Sequence, residues 1–354
     1  MNQETYKKKL KGAIIGRFAG CALGAPVELM EIGQLINFAH TIDGQSFPPK
    51  DYFLKAPNPD GVRYKVGKGR DFTKPDMSFL STDDDIGYTL LCLLMQEDKK
   101  EKLTTEDVAS YWLKYLPKEC TYTAERTTLT NLEQGIEPKL AAIPNNHELD
   151  YIGAAIRIDG YGYTHPGNPS EAARLAYIDS YLSHRDEGIH SAMYFAALIA
   201  LAFESTNIDQ SMDEALKYIP KEGKFYQEIS WALSVKHEVT DYKIANRLVT
   251  ERYPGMSWVH ATNNACLTVW GIHLGQHDFT KAIGETVAMA YDNDCTAATV
   301  GSVLGAYLGI ENIPSYWYKP WNNTILSYLN GISEFKLDDV IERYYRLGLA
   351  FSHN

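Results

Sequence analysis

Ser81-Thr82-Asp83-Asp84-Asp85-Ile86-Gly87-Tyr88-Thr89-Leu90-Leu91-Cys92-Leu93-Leu94-Met95 opens on three adjacent carboxylates and runs into an apolar segment. No basic residue lies within five positions of the acids on either side. A fold that gathers such charge needs a cation, and Mg²⁺ or Mn²⁺ suits carboxylate and hydroxyl oxygens. The stretch also has an ordinary reading. Thr82 is a good N-cap, and acids in a first turn complement the helix dipole. Read alone, it is a helix start.

A second stretch changes the weighing. Asp292-Asn293-Asp294-Cys295-Thr296 again sets acids before a small-residue apolar run, Ala297 to Ala306. Two helix N-termini crowned with carboxylates are an odd pair to bury together without metal. If the fold joins them, their five acids make a dinuclear centre for a hard divalent ion.

The 354 residues are 45% hydrophobic and 22% charged, enough for a large core. No run approaches the roughly 18 uninterrupted apolar residues of a membrane span, and the lysine-rich start lacks the apolar core of a signal peptide. The expected setting is the cytoplasm, without membrane association. Five scattered cysteines show no CxxC spacing, so reduced thiols are expected. A net charge of −11 argues against a general nucleic-acid surface.

Residues 5–24 read as a helix leading into Gly20-Cys21-Ala22-Leu23-Gly24-Ala25-Pro26-Val27-Glu28, whose small residues permit close backbone contact. Pro26 ends that helix and presents Glu28 beyond a packed turn, either as a solvated acid or as a site residue. Further helical periodicity falls at 82–97, 104–116, 124–135, 170–184, 188–205, 211–218, 225–237, 241–252, 261–275, 279–291, 295–308 and 336–350. Strand-like alternation is scarce, so the fold class is all-α. The irregular, proline- and glycine-rich stretch at 42–80 leads directly into the first acid cluster and reads as a lid, against the plain alternative of a surface insertion.

Two polar islands interrupt the helices. Residues 152–169 hold small residues that allow a ligand near the backbone, with Tyr161 and Tyr163 able to stack on a base. Ser183-His184-Arg185 ends a helix, where His184 is either a C-terminal cap or a ligand contact. Trp258-Val259-His260 with Asn263-Asn264 is a polar edge of a common kind. Rossmann, P-loop, zinc-site and serine-elbow signatures are absent from the sequence.

Taken in order, Gly20-x-Ala22-Leu23-Gly24-Ala25-Pro26-Val27-Glu28, Thr82-Asp83-Asp84, Ile152-Gly153-Ala154-Ala155-Ile156-Arg157, Ser183-His184 and Asp292-x-Asp294-x-x-Ala297-Ala298 resemble the ADP-ribosylglycohydrolases over about residues 8–325. The resemblance implies one domain over 1–354, an orthogonal multi-helix bundle with a dinuclear Mg²⁺ centre that Mn²⁺ can replace. It implies metal ligation by Thr82, Asp83, Asp84, Asp292, Asp294 and the Cys295 position, with Glu28 and Asp292 catalytic. Gly153, Ala154, Tyr161 and His184 would line the ADP-ribose pocket. The implied activity is hydrolysis of the N-glycosidic bond between ADP-ribose and a protein side chain, arginine first, by a monomer. ADP-ribosylated protein or an ADP-ribose-containing small molecule would be its partner.

Three departures stand out. Cys295 replaces a usual threonine and is a soft ligand for Mg²⁺. Asp85 stands where a threonine commonly follows the first pair. Gly135–Ala142 lacks a glycine-rich phosphate turn. A non-catalytic ADP-ribose-binding or toxin-immunity protein and a lens-crystallin-like structural role are the alternatives, both disfavoured by retention of Glu28 and the four core aspartates.

Overall fold

The computed structural model describes residues 1–56 and 72–352. Its α-helices begin with α1 (Gln3–Gly24), α2 (Ile32–Thr41), α3 (Asp84–Lys99), α4 (Thr105–Tyr115) and α5 (Thr123–Glu133). They continue with α6 (Asp159–Thr164), α7 (Pro169–Ser180), α8 (Asp186–Ala202), α9 (Ile208–Ala215) and α10 (Lys224–Val235). The last are α11 (Tyr242–Arg252), α12 (Ala261–Leu274), α13 (Phe279–Ala288), α14 (Asn293–Leu308) and α15 (Leu337–Phe351). One antiparallel hairpin, β1 (Thr324–Leu326) with β2 (Glu334–Lys336), completes the described regular structure. The fold is all-α.

Helix α1 is its axis. Asn2 caps it by accepting the Thr5 N–H at 2.8 Å, and every residue from Gly12 to Gly24 is buried. By length and composition α1 would suffice to cross a membrane, despite the charges that interrupt its apolar run. In the protein that apolar window is packed inside, on all sides, as a core helix is.

Close packing rests on glycine at every fourth position of α1. Gly12, Gly16, Gly20 and Gly24 lie against Gly305, Gly301, Ala297 and Asp294 of the antiparallel α14. A methyl carbon at Gly16 would stand 2.1 Å from the Gly301 carbonyl oxygen, and one at Gly20 would stand 2.0 Å from that of Ala297. The two backbones touch, so no side chain fits between them and their register is fixed.

Most helices fall where the periodicity places them, with ends shifted by a few residues. Helix α2 is additional, because ten residues with two buried positions give little periodic signal. The island at 152–169 is a correction. It contains a 3₁₀ turn, Ile152–Arg157, and then α6, both wholly buried.

Of the lid-like stretch, 57–71 lies outside the described residues. Its flanks are anchored: the Lys55 N–H donates to the Lys74 carbonyl at 2.8 Å, and the Lys74 N–H to that of Phe53 at 2.9 Å. Leu80 pairs with the hairpin through Thr324.

Gly16→Ala and Gly301→Ala should each lower stability by about 1–3 kcal/mol through overpacking. The measurement is the urea midpoint at unchanged slope, and an unmoved midpoint would show that the two helices can separate freely.

Candidate functional site

Asp83, not Thr82, caps α3. Its φ of −150° and ψ of 159° are extended, and its Oδ1 accepts the Asp85 N–H at 3.1 Å. Thr82 stands one residue upstream, half-buried. Asp85 turns inward and meets Arg17, whose Nη2 donates to Asp85 Oδ1 at 2.9 Å. Arg17 Nη1 donates to Asp159 Oδ2 at 2.9 Å and Nε to Thr89 Oγ1 at 2.8 Å, and the group also bonds the Ile156 carbonyl. All three charged side chains are wholly buried. Burial alone would lower the Arg17 pKa, but Asp159 and Asp85 outweigh it and hold the guanidinium charged. One carboxylate of the triple cluster thus has its cation from a distant part of the chain, which makes Asp85 a structural anchor.

The second cluster is delivered by a strained turn. After α13 the chain passes through Ala290 and Tyr291 at φ +66° and +64°, and Leu29, just beyond Glu28, is at +57°. Left-handed backbone costs such residues about 1–2 kcal/mol each, and strain of this kind concentrates at functional sites. The Leu29 N–H donates to the Tyr291 carbonyl at 3.1 Å, stitching the Glu28 turn to the Asp292 turn. Asp292 donates its N–H to Asn264 Oδ1 at 3.3 Å. Asn264 is itself held by bonds from Nδ2 to the Trp258 and His260 carbonyls, at 2.7 and 2.9 Å. The polar edge at Trp258–Asn264 therefore supports the second acid cluster.

The two clusters meet. Ligand atoms of Glu28, Asp292 and Asp294 lie within 4.8 Å of one another, as do those of Asp85, Asp294 and Cys295, and those of Cys21, Asp83 and Asp85. Asp83 Oδ2, Asp85 Oδ2 and Asp294 Oδ1 are buried without hydrogen-bond partners among the described residues. Burial, with the charges of Asp83, Asp85, Glu28 and Asp292, pushes Asp84 well above the ordinary carboxylate range. Burial, Glu28 and Asp292 do the same to Asp294. The Cys295 thiol is raised by burial and then by Asp292, Asp85 and Asp294, so it holds its proton at neutral pH. Carboxylates this close and this buried require either protons or a cation. A set of orphaned hard oxygens fits a divalent metal.

A cleft of about 420 Å³, its open mouth included, lies over the cluster. Glu28, Asp84, Asp292 and Cys295 form one wall; Tyr122, Thr123, Glu125, Tyr151, Gly153 and Val259 contribute to the other. That second wall is fixed by main-chain pairing of Ile152 N–H with the Val259 carbonyl and of Ala261 N–H with that of Asp150, both at 2.9 Å. Gly153 has no room for a side chain, because a Cβ there would stand 2.1 Å from Glu125 Oε1. Glu125 Oε1 in turn accepts from Arg157 Nη1 at 2.8 Å. Burial raises the Glu125 pKa, with Arg157 pulling against it.

Three expected pocket residues sit elsewhere. Tyr161 is fully buried and donates its hydroxyl to Asp179 Oδ2 at 2.6 Å, so its ring is unavailable to stack on a base. Tyr163 is likewise buried, 2.8 Å from Ser302 Oγ. Ala154 is buried and does not line the cleft. His184 lies beyond the end of α7, wholly buried behind the wall. Its Nδ1 is 2.8 Å from Ser183 Oγ, which accepts from Arg157 Nη2 at 2.7 Å. Burial, Arg157 and Arg185 hold its pKa well below the usual histidine value, and its ring supports the Arg157–Glu125 pair. Glu125, Tyr151 and Asn264 carry no local motif; only the fold brings them to the site.

In this all-α chain two carboxylate-crowned helix starts converge under a cleft, a donor set that fits a divalent cation. Residues 2–347 match the ADP-ribosylglycohydrolase family model, and the chain belongs to that family. Its fold is similar to a solved structure titled "ADP-ribosylglycohydrolase-related protein complex" at a TM-score of 0.64 and 17% identity. That match covers 98% of this chain and 99% of the other. No curated protein matches the chain.

Arg17→Met would leave Asp85 and Asp159 buried without their cation and should cost about 3–5 kcal/mol. Denaturant unfolding measures it. A loss under 1 kcal/mol, on the order of an exposed pair, would mean that the two acids are neutral in the native protein.

Proposed function

We propose that the acid-lined cleft hydrolyses the N-glycosidic bond between ADP-ribose and a modified protein side chain, arginine first. The observation that carries this reading is the meeting of Glu28 with Asp292 and Asp294 at the base of a cleft that Asp84 also lines. Family membership supplies the substrate class. Thr82, Asp83, Asp84, Asp292, Asp294 and Cys295 would hold two Mg²⁺ ions, or Mn²⁺ in their place. Bound divalent ions there would acidify a water and bind ribose oxygens.

The chain's own residues do the rest. Cleavage at the anomeric carbon passes through an oxocarbenium-like state, whose positive charge the surrounding carboxylates favour. Glu28 takes the proton of the attacking water as general base. Asp292, in the same triad, is the second catalytic carboxylate of this reading. Burial of the cluster limits competing bulk water. Residues 1–354 act in this reading as one domain, monomeric and cytoplasmic.

Release of free ADP-ribose from arginine-, serine- and DNA-linked substrates, with and without Mg²⁺, tests the reading. Arginine-linked substrate should be cleaved and a chelator should abolish cleavage, with Asp84→Ala and Asp292→Ala each reproducing the chelator. Glu28→Gln keeps the shape but accepts no proton, so turnover should fall about 10²–10⁴-fold while ADP-ribose affinity changes little. Binding of ADP-ribose without hydrolysis of any linkage would make the protein a binding module.

Metal should also stabilise the fold, by about 2.7 kcal/mol at 100-fold excess over its dissociation constant. Cys295→Thr should tighten Mg²⁺ binding, since a hydroxyl suits that ion better than a thiol. Isothermal calorimetry reads the change, and an unaltered affinity would reduce Cys295 to packing.

A further inference from the structure

One helix length from the acid cluster, about 24 Å along α3 at 1.5 Å per residue, a different set of side chains meets. His165 follows α6, Glu101 lies in the turn after α3, and Glu171 is in the first turn of α7. His165 is 4% exposed, and its ring stacks on Phe351 with centroids 5.1 Å apart and planes at 19°. Nδ1 lies 2.9 Å from the Tyr161 carbonyl, which can only accept, and 3.0 Å from Thr164 Oγ1, whose own proton goes to Gln96 Oε1 at 2.6 Å, so the ring proton is on Nδ1. Nε2 therefore carries a lone pair. It has no hydrogen-bond partner among the described residues, and it stands 3.8 Å from Glu101 Oε1. Atoms of His165, Glu101 and Glu171 lie mutually within 4.8 Å.

His165 Nε2 and the two carboxylates thus face one another, and the donor beside them is Arg174. Burial keeps the imidazole neutral, so it offers the carboxylates no charge. Arg174 holds both oxygens of Glu171 from its own side, with Nε 2.7 Å from Oε2 and Nη2 on Oε1, and Nη2 also bonds the Glu101 carbonyl at 2.9 Å. It neutralises one of the two carboxylates and positions Glu171, but it makes no bond to His165 Nε2.

The cluster of Asp150, Glu187 and His260 gives the contrast. There Nδ1 accepts the Thr262 N–H at 3.1 Å, so the proton is on Nε2, 3.1 and 3.3 Å from the two carboxylates. That set is complete without an ion.

We propose that His165, Glu101 and Glu171 form a separate structural site for a borderline divalent cation, Zn²⁺ above all. One imidazole nitrogen and two carboxylates, with water in the fourth position, match its donor preference. Tetrahedral Zn²⁺ sets its ligand atoms about 3.4 Å apart, a few tenths of an ångström inside the separation found between His165 and Glu101. Glu101 and Glu171 are half-exposed, which gives an ion a route in and room to close. Bound there, it ties the turn after α3 to the junction of α6 and α7.

The test is Zn²⁺ calorimetry on the full chain in saturating Mg²⁺, with Co²⁺ absorption reporting geometry. One Zn²⁺ should bind and Co²⁺ should give a tetrahedral spectrum. Glu101→Gln and His165→Gln should each weaken binding about tenfold or more, while Asp150→Asn leaves it unchanged. Glu101→Gln is decisive should His165→Gln fail to fold, because among the described residues the Glu101 side chain comes within ion-pairing distance only of His165. Zn²⁺ binding that survives Glu101→Gln, vanishes with Asp84→Ala, or is absent from the Mg²⁺-saturated protein overturns the proposal.

Discussion

The contact of the α1 backbone with the α14 backbone is the constraint on which the site depends. Because Gly12, Gly16, Gly20 and Gly24 admit no side chain toward α14, the antiparallel helices have one register. A slip of one turn would move them by about 5.4 Å, more than the spacing within any of the acid triads. The end of α1 delivers Glu28 and the start of α14 delivers Asp292 and Asp294, so one packing decision sets all three carboxylates. A methyl carbon at Gly24 would stand 2.4 Å from the Asp294 Cα, which shows how directly the seam runs into the site.

Such a seam works against electrostatics. Bringing buried carboxylates together is unfavourable, and the helix ends offer only partial compensation. The protein meets part of the charge with Arg17, which pairs Asp85 through Oδ1, while Asp85 Oδ2 still faces the cluster with Asp83, Asp294 and Cys295. The left-handed Leu29, Ala290 and Tyr291 add local strain on both sides of the seam. Rigid packing of α1 on α14 is what allows the strain and the repulsion to persist.

How much of this could be read in the sequence follows from range. The acid runs at Asp83–Asp85 and Asp292–Asp294 were legible because helix starts are local features with a short vocabulary. Glu28 was legible through the small-residue turn before it. Arg17 was not, since it reads as one polar residue inside an apolar helix and its partners lie 68 and 142 positions away. Asn264 looked like an ordinary polar edge until its bond to the Asp292 N–H gave it a task. Tyr161 and His184 misled for the opposite reason. Their residue types suit a ligand, but Tyr161 gives its hydroxyl to Asp179, 18 positions away, and His184 is buried against Ser183, which Arg157 holds from 26 positions away.

The 3₁₀ turn at Ile152–Arg157 shows the same point at the level of the backbone. Such a turn leaves carbonyls without the partners a regular helix supplies, and a buried carbonyl must find another donor. Arg17 donates to the Ile156 carbonyl from the acid-cluster side, and Arg157 donates to the Gly153 carbonyl at 3.1 Å from the wall side. Each guanidinium also carries two buried carboxylates: Asp85 and Asp159 on Arg17, Glu125 and Asp179 on Arg157. The small residues of this turn therefore answer to guanidinium and carboxylate packing, with Gly153 excluded from any larger side chain by Glu125 itself. A stretch whose small residues suggest room for a ligand near the backbone is instead a wholly buried turn that itself lines the cleft through Ile152, Gly153 and Ile156.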